Sequence, residues 1–182
     1  MTQSRVFLLD RSGSMESCRA DTIDGFNSFI EAQKPLGGIM TLVLFDHEVN
    51  VLYENTPIEK VKPLDLDTFV PRGGTALYDA LGYVLKMNLP RETIVIVLTD
   101  GDENSSHTYT SMHLKDLIEN KQTNEGWSFV YLGANQDTIM SASRLGIRTS
   151  LHYEPGTQTP DLFRALSDTI SVPLTPGHTQ IA

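Results

Sequence analysis

Three oxygen-bearing side chains alternate in the segment Asp10-Arg11-Ser12-Gly13-Ser14. The segment follows a short aliphatic run, and Gly13 lets the chain bend tightly. A bend of this kind can direct the oxygens of Asp10, Ser12 and Ser14 toward one point. Carboxylate and hydroxyl oxygens are the ligands that hard divalent cations prefer. This segment is therefore a candidate cation site.

Two other segments offer ligands of the same chemistry. Asp100 lies in an acidic turn, residues 99–102, that follows another aliphatic run. Thr75 follows two glycines and precedes a segment with helical periodicity, so its hydroxyl can lie near a helix start while the glycines allow close backbone approach. We predict that five residues form one metal site: Asp10, Ser12, Ser14, Thr75 and Asp100.

The predicted ligands contain neither sulfur nor imidazole nitrogen, which favours Mg²⁺ over Zn²⁺ and leaves Mn²⁺ or Ca²⁺ as alternatives. Two aspartates roughly balance a divalent charge. An octahedral shell of about six oxygens still leaves positions for water and for an outside ligand. An Asp or Glu carboxylate of another protein would complete such a shell.

The elements that would position these residues alternate between strand and helix. Continuous apolar runs predict buried strands at residues 5–9, 40–45, 93–98 and 127–132, and shorter runs predict edge strands at 49–53 and 149–153. Helical periodicity marks residues 23–30, 77–85 and 114–118, and turn residues predict further helices at 137–146 and from 159. The order predicts an α/β fold with a doubly wound, mostly parallel sheet and helices on both faces.

Two features refine that fold. Asp46-His47 lies between two strand runs and predicts a tight hairpin, so the edge strand after it would be antiparallel. In a doubly wound sheet, ligands bind beyond the carboxyl ends of the strands, where the strand order reverses. The segments that contain Asp10 and Asp100 both follow strands, so we expect them to meet there.

Composition limits the partners and the compartment. A chain of 182 residues predicts one domain, residues 1–172, followed by a coil tail at 173–182. The formal charge of -9 disfavours nucleic acid as a partner. A single cysteine, Cys18, cannot form an internal disulfide, and neither a signal sequence nor an apolar stretch of about 20 residues is recognisable. We therefore expect a cytoplasmic protein that does not enter the membrane.

The segment 10–14, Thr75 and the Thr99-Asp100-Gly101 turn together resemble the metal-ion-dependent adhesion site of von Willebrand factor A-type domains. The resemblance implies that Ser12 and Ser14 bind the metal directly and that Thr75 binds it directly or through water. Asp10 and Asp100 would mostly not bind the metal directly but would lie next to the residues that do. It also implies a protein-binding module like the stand-alone intracellular bacterial or phage members, some of which work beside AAA-type ATPases.

Other interpretations stay open at this level. The oxygens of residues 10–14 could cap the next helix. The bound cation could activate water in a phosphoester hydrolase, with His107 as the nearest general acid or base. The chain could also be a metal-free interaction scaffold. Asp102, Glu103 and His107 could line a recognition surface or be merely solvated, and Asp46, His47 and Glu48 are best explained by turn chemistry.

Overall fold

The computed structural model describes residues 2–100, 102–134, 137–154 and 159–171. Within these residues the strands are β1 Ser4–Asp10, β2 Ile39–Phe45, β3 Val49–Pro57, β4 Ile94–Thr99, β5 Ser128–Gly133 and β6 Thr149–His152. The α-helices are α1 Arg19–Gln33, α2 Leu77–Lys86, α3 Ser111–Glu125, α4 Thr138–Arg144 and α5 Thr159–Ser171. A short 3₁₀ helix, Gly13–Cys18, precedes α1. Gly101 and the predicted tail at 173–182 lie outside the described residues.

The six strands form one sheet in the order β3-β2-β1-β4-β5-β6. β3 is antiparallel to β2, and every other neighbouring pair is parallel. The chain therefore winds outward from β1 in one direction and from β4 in the other, and the strand order reverses between these two strands. This topology confirms the predicted doubly wound sheet with one antiparallel edge strand.

The predicted strands are present with small shifts at their ends. Every residue of β1 is buried, as expected for a strand covered on both faces. β3 is longer than predicted and continues to Pro57 past Asn55, where the backbone takes a positive φ of 45°. The hairpin between β2 and β3 uses three residues, because the Asp46 amide donates to the Glu48 carbonyl across 3.0 Å.

Each face of the sheet has its own core. On the face covered by α1 and α5, the Phe7 ring lies 5.2 Å from Phe26, 5.6 Å from Phe29 and 6.2 Å from Phe163. On the face covered by α2, α3 and α4, Trp127 is buried among aliphatic side chains. Phe26, Phe29 and Trp127 are therefore core residues, and Cys18 is buried as well.

Local signals explain where the helices begin and end. The Thr110 hydroxyl accepts a hydrogen bond from the His113 amide at the start of α3, and Gly126 ends that helix in the left-handed conformation. α4 begins directly after Asp137, and Gly146, with φ +73°, follows its end. None of the described helices is long and apolar enough to span a membrane.

Candidate metal centre

Asp10 is the last residue of β1 and connects the ends of the two central strands. Its side chain is fully buried. One carboxylate oxygen accepts a hydrogen bond from the Ser12 amide at 2.6 Å, and the other accepts from the Thr99 hydroxyl at 2.7 Å. Because Thr99 ends β4, this carboxylate lies where the strand order reverses. The sheet topology thus brings the first predicted ligand to the expected edge.

Ser12, Ser14 and Asp100 form a continuous polar chain beside Asp10. The Ser12 and Ser14 hydroxyl oxygens are 3.1 Å apart. The Ser14 hydroxyl donates to an Asp100 carboxylate oxygen at 2.8 Å. The turn after β1 and the turn after β4 therefore contact each other through predicted ligands, which gives them the proximity that a shared cation requires.

Thr75 reaches the same region on a third loop. The Gly13 amide donates to the Gly73 carbonyl at 3.0 Å, so the glycine pair lies against the turn after β1. The Thr75 amide donates to the Asn104 side chain at 2.8 Å, and Thr75 itself is buried. A Cβ on Gly74 would collide with the Ser105 hydroxyl, so the Ser105 side chain would have to shift to accommodate a larger residue.

The two carboxylates of this site have unusual electrostatics. Burial, with a smaller contribution from the Asp100 charge, raises the pKa of Asp10 to about 6 against hydrogen bonds from Thr99 and Ser12. Burial also raises the pKa of Asp100. Among the described residues, no Lys, Arg or His forms an ion pair with either carboxylate. Buried acidic groups without a cationic partner fit a divalent cation in their midst.

A second acidic cluster lies on the neighbouring hairpin and differs in its partners. Potential ligand atoms of Asp46, His47 and Glu48 lie within 4.8 Å of one another. However, the Asp46 carboxylate already pairs with Arg11 at 2.9 Å and Arg72 at 2.7 Å. Burial alone would raise the pKa of Asp46, but hydrogen bonds from Glu48 and Arg72 and the Arg11 charge lower it overall. Two guanidinium groups already compensate this cluster, so it is the weaker candidate for a cation.

The acidic loop after Asp100 is largely structural. The Glu103 carboxylate accepts hydrogen bonds from the Ser106 amide at 2.7 Å and from the Tyr78 amide, in the first turn of α2, at 3.0 Å. The His107 side chain is exposed, and its amide donates to Asp79 at 2.8 Å. Asp102 is also exposed. Glu103 thus joins this loop to the start of α2, which the sequence did not indicate.

Other residues that support the site were also not predicted from the sequence. Thr99 and Asn104 bind Asp10 and Thr75 directly, and Arg11 and Asp46 form a buried ion pair. The position of Thr99 at a strand end next to Asp100 was a usable signal. Nothing in the local sequence pattern distinguishes Asn104 or Asp46 from ordinary loop residues, because their partners are distant along the chain.

The fold and the three converging loops define an α/β domain of the von Willebrand factor A type. The family model described as von Willebrand factor type A domain matches residues 5–103, which is more than half of the chain. The chain belongs to this family. The matched range includes every residue of the candidate metal centre.

Solved structures with the same fold include the vWF domain of the type V pili tip protein Mfa5 from Porphyromonas gingivalis. It is 12% identical with a TM-score of 0.70, and the match covers 98% of each chain. Proximal thread matrix protein 1 from the mussel byssus, with a zinc-occupied MIDAS motif, is 16% identical with a TM-score of 0.66, over 92% of this chain and 48% of that one. Manganese-loaded Plasmodium vivax TRAP protein is 16% identical with a TM-score of 0.58, over 91% and 73%.

These similarities show the fold. The chain spans less than half the length of several of the solved chains that it matches. No curated protein sequence gives a significant match.

Proposed function

We propose that this domain binds a divalent cation at Asp10, Ser12, Ser14, Thr75 and Asp100 and uses it to hold a carboxylate of a protein partner. Membership in the von Willebrand factor type A family supports a role as an interaction module rather than an enzyme. The hydroxyls of Ser12 and Ser14 would bind the metal directly. The metal would supply the positive charge to which the partner's Asp or Glu binds.

The observation that carries this proposal is the contrast between two buried aspartates at one edge of the sheet. Asp46 is neutralised by Arg11 and Arg72, whereas Asp10, among the described residues, accepts hydrogen bonds from a hydroxyl and an amide, forms no ion pair and has Asp100 nearby. A buried carboxylate without compensation is costly, and a bound cation removes that cost. The chain therefore has a fixed arrangement of oxygen ligands that lacks only positive charge.

Magnesium is the proposed metal because all the proposed protein ligands are oxygens. Manganese and calcium are the alternatives. Of the two metal-loaded structures above, one contains zinc and the other manganese. Titration calorimetry with each of these cations would rank them, and absence of magnesium binding beside clear binding of another cation would contradict magnesium as the metal.

A protein carboxylate is the proposed external ligand because it completes an oxygen shell and matches the hard cation. The charge of -9 opposes nucleic acid as a partner. An AAA-type ATPase or another large assembly is the partner class that the family resemblance suggests. The cytoplasm is the proposed compartment, and its support is the single cysteine.

The experiment has two stages. Magnesium is first titrated into the purified chain and into Asp100→Ala, with Asp102→Asn as the control for loss of a nearby exposed carboxylate. Proteins retained by the immobilised chain with magnesium are then compared with those retained with EDTA, and Asp and Glu residues of the captured protein are replaced by Asn and Gln. Binding that survives EDTA and Asp100→Ala contradicts the proposal. Metal-dependent hydrolysis of phosphoesters, lost in His107→Ala, would support the enzyme alternative instead.

A further inference from the structure

Asp46 lies at the centre of a buried polar network beside the candidate metal centre. It is the first residue after β2 and has no solvent exposure. One of its carboxylate oxygens accepts from Arg11 Nε at 2.9 Å and from Arg72 Nε at 2.7 Å. The other accepts from the Glu48 amide at 2.7 Å. One side chain thus joins three separate segments of the molecule.

The first of these segments contains Asp10, Ser12 and Ser14. Arg11 lies between Asp10 and Ser12, and its side chain is held by Asp46. The Arg11 amide donates to the Phe45 carbonyl at 2.8 Å, and its carbonyl accepts from the Arg72 amide at 2.8 Å. These contacts of Arg11 therefore fix the bend that contains three predicted ligands, Asp10, Ser12 and Ser14.

The second segment contains Thr75. Arg72, three residues before Thr75, binds the Asp46 carboxylate, and the Ala76 amide, one residue after Thr75, donates to the Asp46 carbonyl at 2.7 Å. Residues on both sides of Thr75 are therefore hydrogen-bonded to Asp46. Loss of the Asp46 carboxylate would release the Arg72 side of this loop and the Arg11 side chain together.

Charge adds a second effect. Arg11 lies between two predicted ligands in the sequence, and its guanidinium is paired with Asp46. Asp46 compensates Arg11 and shares Arg72 with Glu48, whose carboxylate lies 2.6 Å from the Arg72 terminal nitrogen. With both partners in place the two arginines and the two acids balance. Removal of Asp46 would leave an excess positive charge in the network that holds the two ligand-bearing loops.

We infer that Asp46 is a positioning residue of the metal centre: it holds the Asp10–Ser14 bend and the Thr75 loop together through Arg11, Arg72 and Ala76, and it neutralises the adjacent guanidinium groups. This inference rests on the proposed cation site. Asp46 does not bind the metal itself in this arrangement, because its oxygens are occupied by Arg11, Arg72 and the Glu48 amide.

The test compares Asp46→Asn with Asp65→Asn. Asp65 is a matched control because its carboxylate also accepts backbone amides, from Asp67 at 2.9 Å and Thr68 at 2.8 Å, but it contacts no predicted ligand segment. Magnesium Kd is measured by titration calorimetry at a temperature where circular dichroism shows all variants folded, and Tm is measured separately in EDTA. Asp46→Asn should weaken magnesium binding about 10- to 100-fold, the effect of losing a residue that orients ligands. Asp65→Asn should leave the Kd unchanged.

The outcomes separate the two proposals. Absence of magnesium binding to the unmodified chain overturns the metal centre itself. Unchanged Kd in a folded Asp46→Asn, even with a lower Tm, shows a purely structural residue and overturns the inference alone. Should Asp46→Asn not fold, Arg72→Lys removes the Nε contact with Asp46 at a half-exposed position and keeps the positive charge, and the same comparison of Kd decides: weaker binding supports the inference and unchanged binding overturns it.

Discussion

The Ser14 hydroxyl donates a hydrogen bond to the Asp100 carboxylate across 2.8 Å, although the two residues are 86 positions apart in the sequence. The contact exists because β1 and β4 are adjacent parallel strands, so the turns that follow them leave the sheet side by side. A hydroxyl and a carboxylate at this separation can both turn toward one cation. The strand order thus converts two distant sequence segments into one candidate binding site.

Replacement of Asp100 by Ala should abolish magnesium binding. The change removes one of the two carboxylates that would balance the cation, so we expect the Kd to rise by more than about 100-fold, beyond the usual effect of a supporting residue. Titration calorimetry measures this directly. Asp102→Asn, an exposed site two residues away, should bind magnesium as the unmodified chain does. Equal Kd values for Asp100→Ala and the unmodified chain would falsify the assignment of Asp100.

Magnesium should stabilise the folded chain. A ligand that binds only the native state at about 100 times its Kd adds about 2.7 kcal/mol. For a domain of this size we expect a rise in Tm of about 5 to 10 °C relative to EDTA. Thermal unfolding followed by circular dichroism tests the effect. A rise that persists in Asp100→Ala but disappears in Glu48→Gln would place the cation at Asp46, His47 and Glu48 instead.

Magnesium binding should weaken as the pH falls below about 6. Burial raises the pKa of Asp10 to about 6, so the metal-free site holds a proton below that pH and must release it when the cation binds. The raised pKa also means that the metal-free fold loses stability as the pH rises from about 4 to 6, because the folded state binds the proton more tightly than the unfolded state. Above about pH 6, Asp10 is ionised, so it no longer makes the magnesium affinity or the stability of the metal-free fold depend on pH.

The measurement is the difference in Tm between magnesium and EDTA at a series of pH values. It should be largest above pH 6 and shrink below it, with about a tenfold loss of affinity per pH unit for one released proton. A difference in Tm that stays constant from neutral pH to well below the pKa of Asp10 would show that Asp10 does not couple to the metal.

The sequence predicted the sheet well because β1, β2, β4 and β5 are continuous apolar runs, which only a doubly covered sheet accommodates. It also identified the five candidate ligands, because each follows a strand or precedes a helix. β3 was predicted too short, because exposed polar residues such as Glu54 and Asn55 hide the end of an edge strand.

The supporting residues of the site could not be predicted for a different reason. Asp46 meets Arg72 over 26 positions and Arg11 over 35, and Asn104 meets Thr75 over 29. Such contacts depend on how loops fold over the sheet edge, which hydrophobic periodicity does not encode. The candidate ligands could be proposed from the sequence because their chemistry is a local pattern, whereas the contacts that would position them are tertiary.

Asn104→Ala should weaken magnesium binding. The Asn104 side-chain oxygen accepts from the Thr75 amide at 2.8 Å, and the Asn104 backbone amide, which the variant keeps, donates to the Thr75 carbonyl at 2.9 Å. Loss of the side-chain oxygen leaves the Thr75 amide without that partner, at a cost of about 1–3 kcal/mol, and frees the loop. We expect a rise of about tenfold or more in the magnesium Kd.

The matched control for this variant is Asn27→Ala. Asn27 also bridges a backbone with its side chain, at 2.7 Å and 2.9 Å to Leu64, but far from the predicted ligands in the sequence. It should lower the Tm and leave the magnesium Kd unchanged. If the two variants lower the Tm equally and neither changes the Kd, the contact of Asn104 with Thr75 does not matter for the metal.

Phe163→Ala should destabilise the fold without affecting the metal centre. Phe163 is 3% exposed and packs on Phe7 and Phe29, and a Cβ on Gly25 would lie 2.3 Å from its ring, so α5 fits closely against α1. Deletion of a buried aromatic ring costs about 3–5 kcal/mol, whereas Met140→Ala, at an exposed position of α4, should change the free energy of unfolding by less than about 0.5 kcal/mol. Urea denaturation measures the free energy of unfolding of both variants.

A loss of less than about 1 kcal/mol for Phe163→Ala would mean that α5 does not seal this core. A changed magnesium Kd in folded Phe163→Ala would mean that the packing of α5 and the metal centre are coupled.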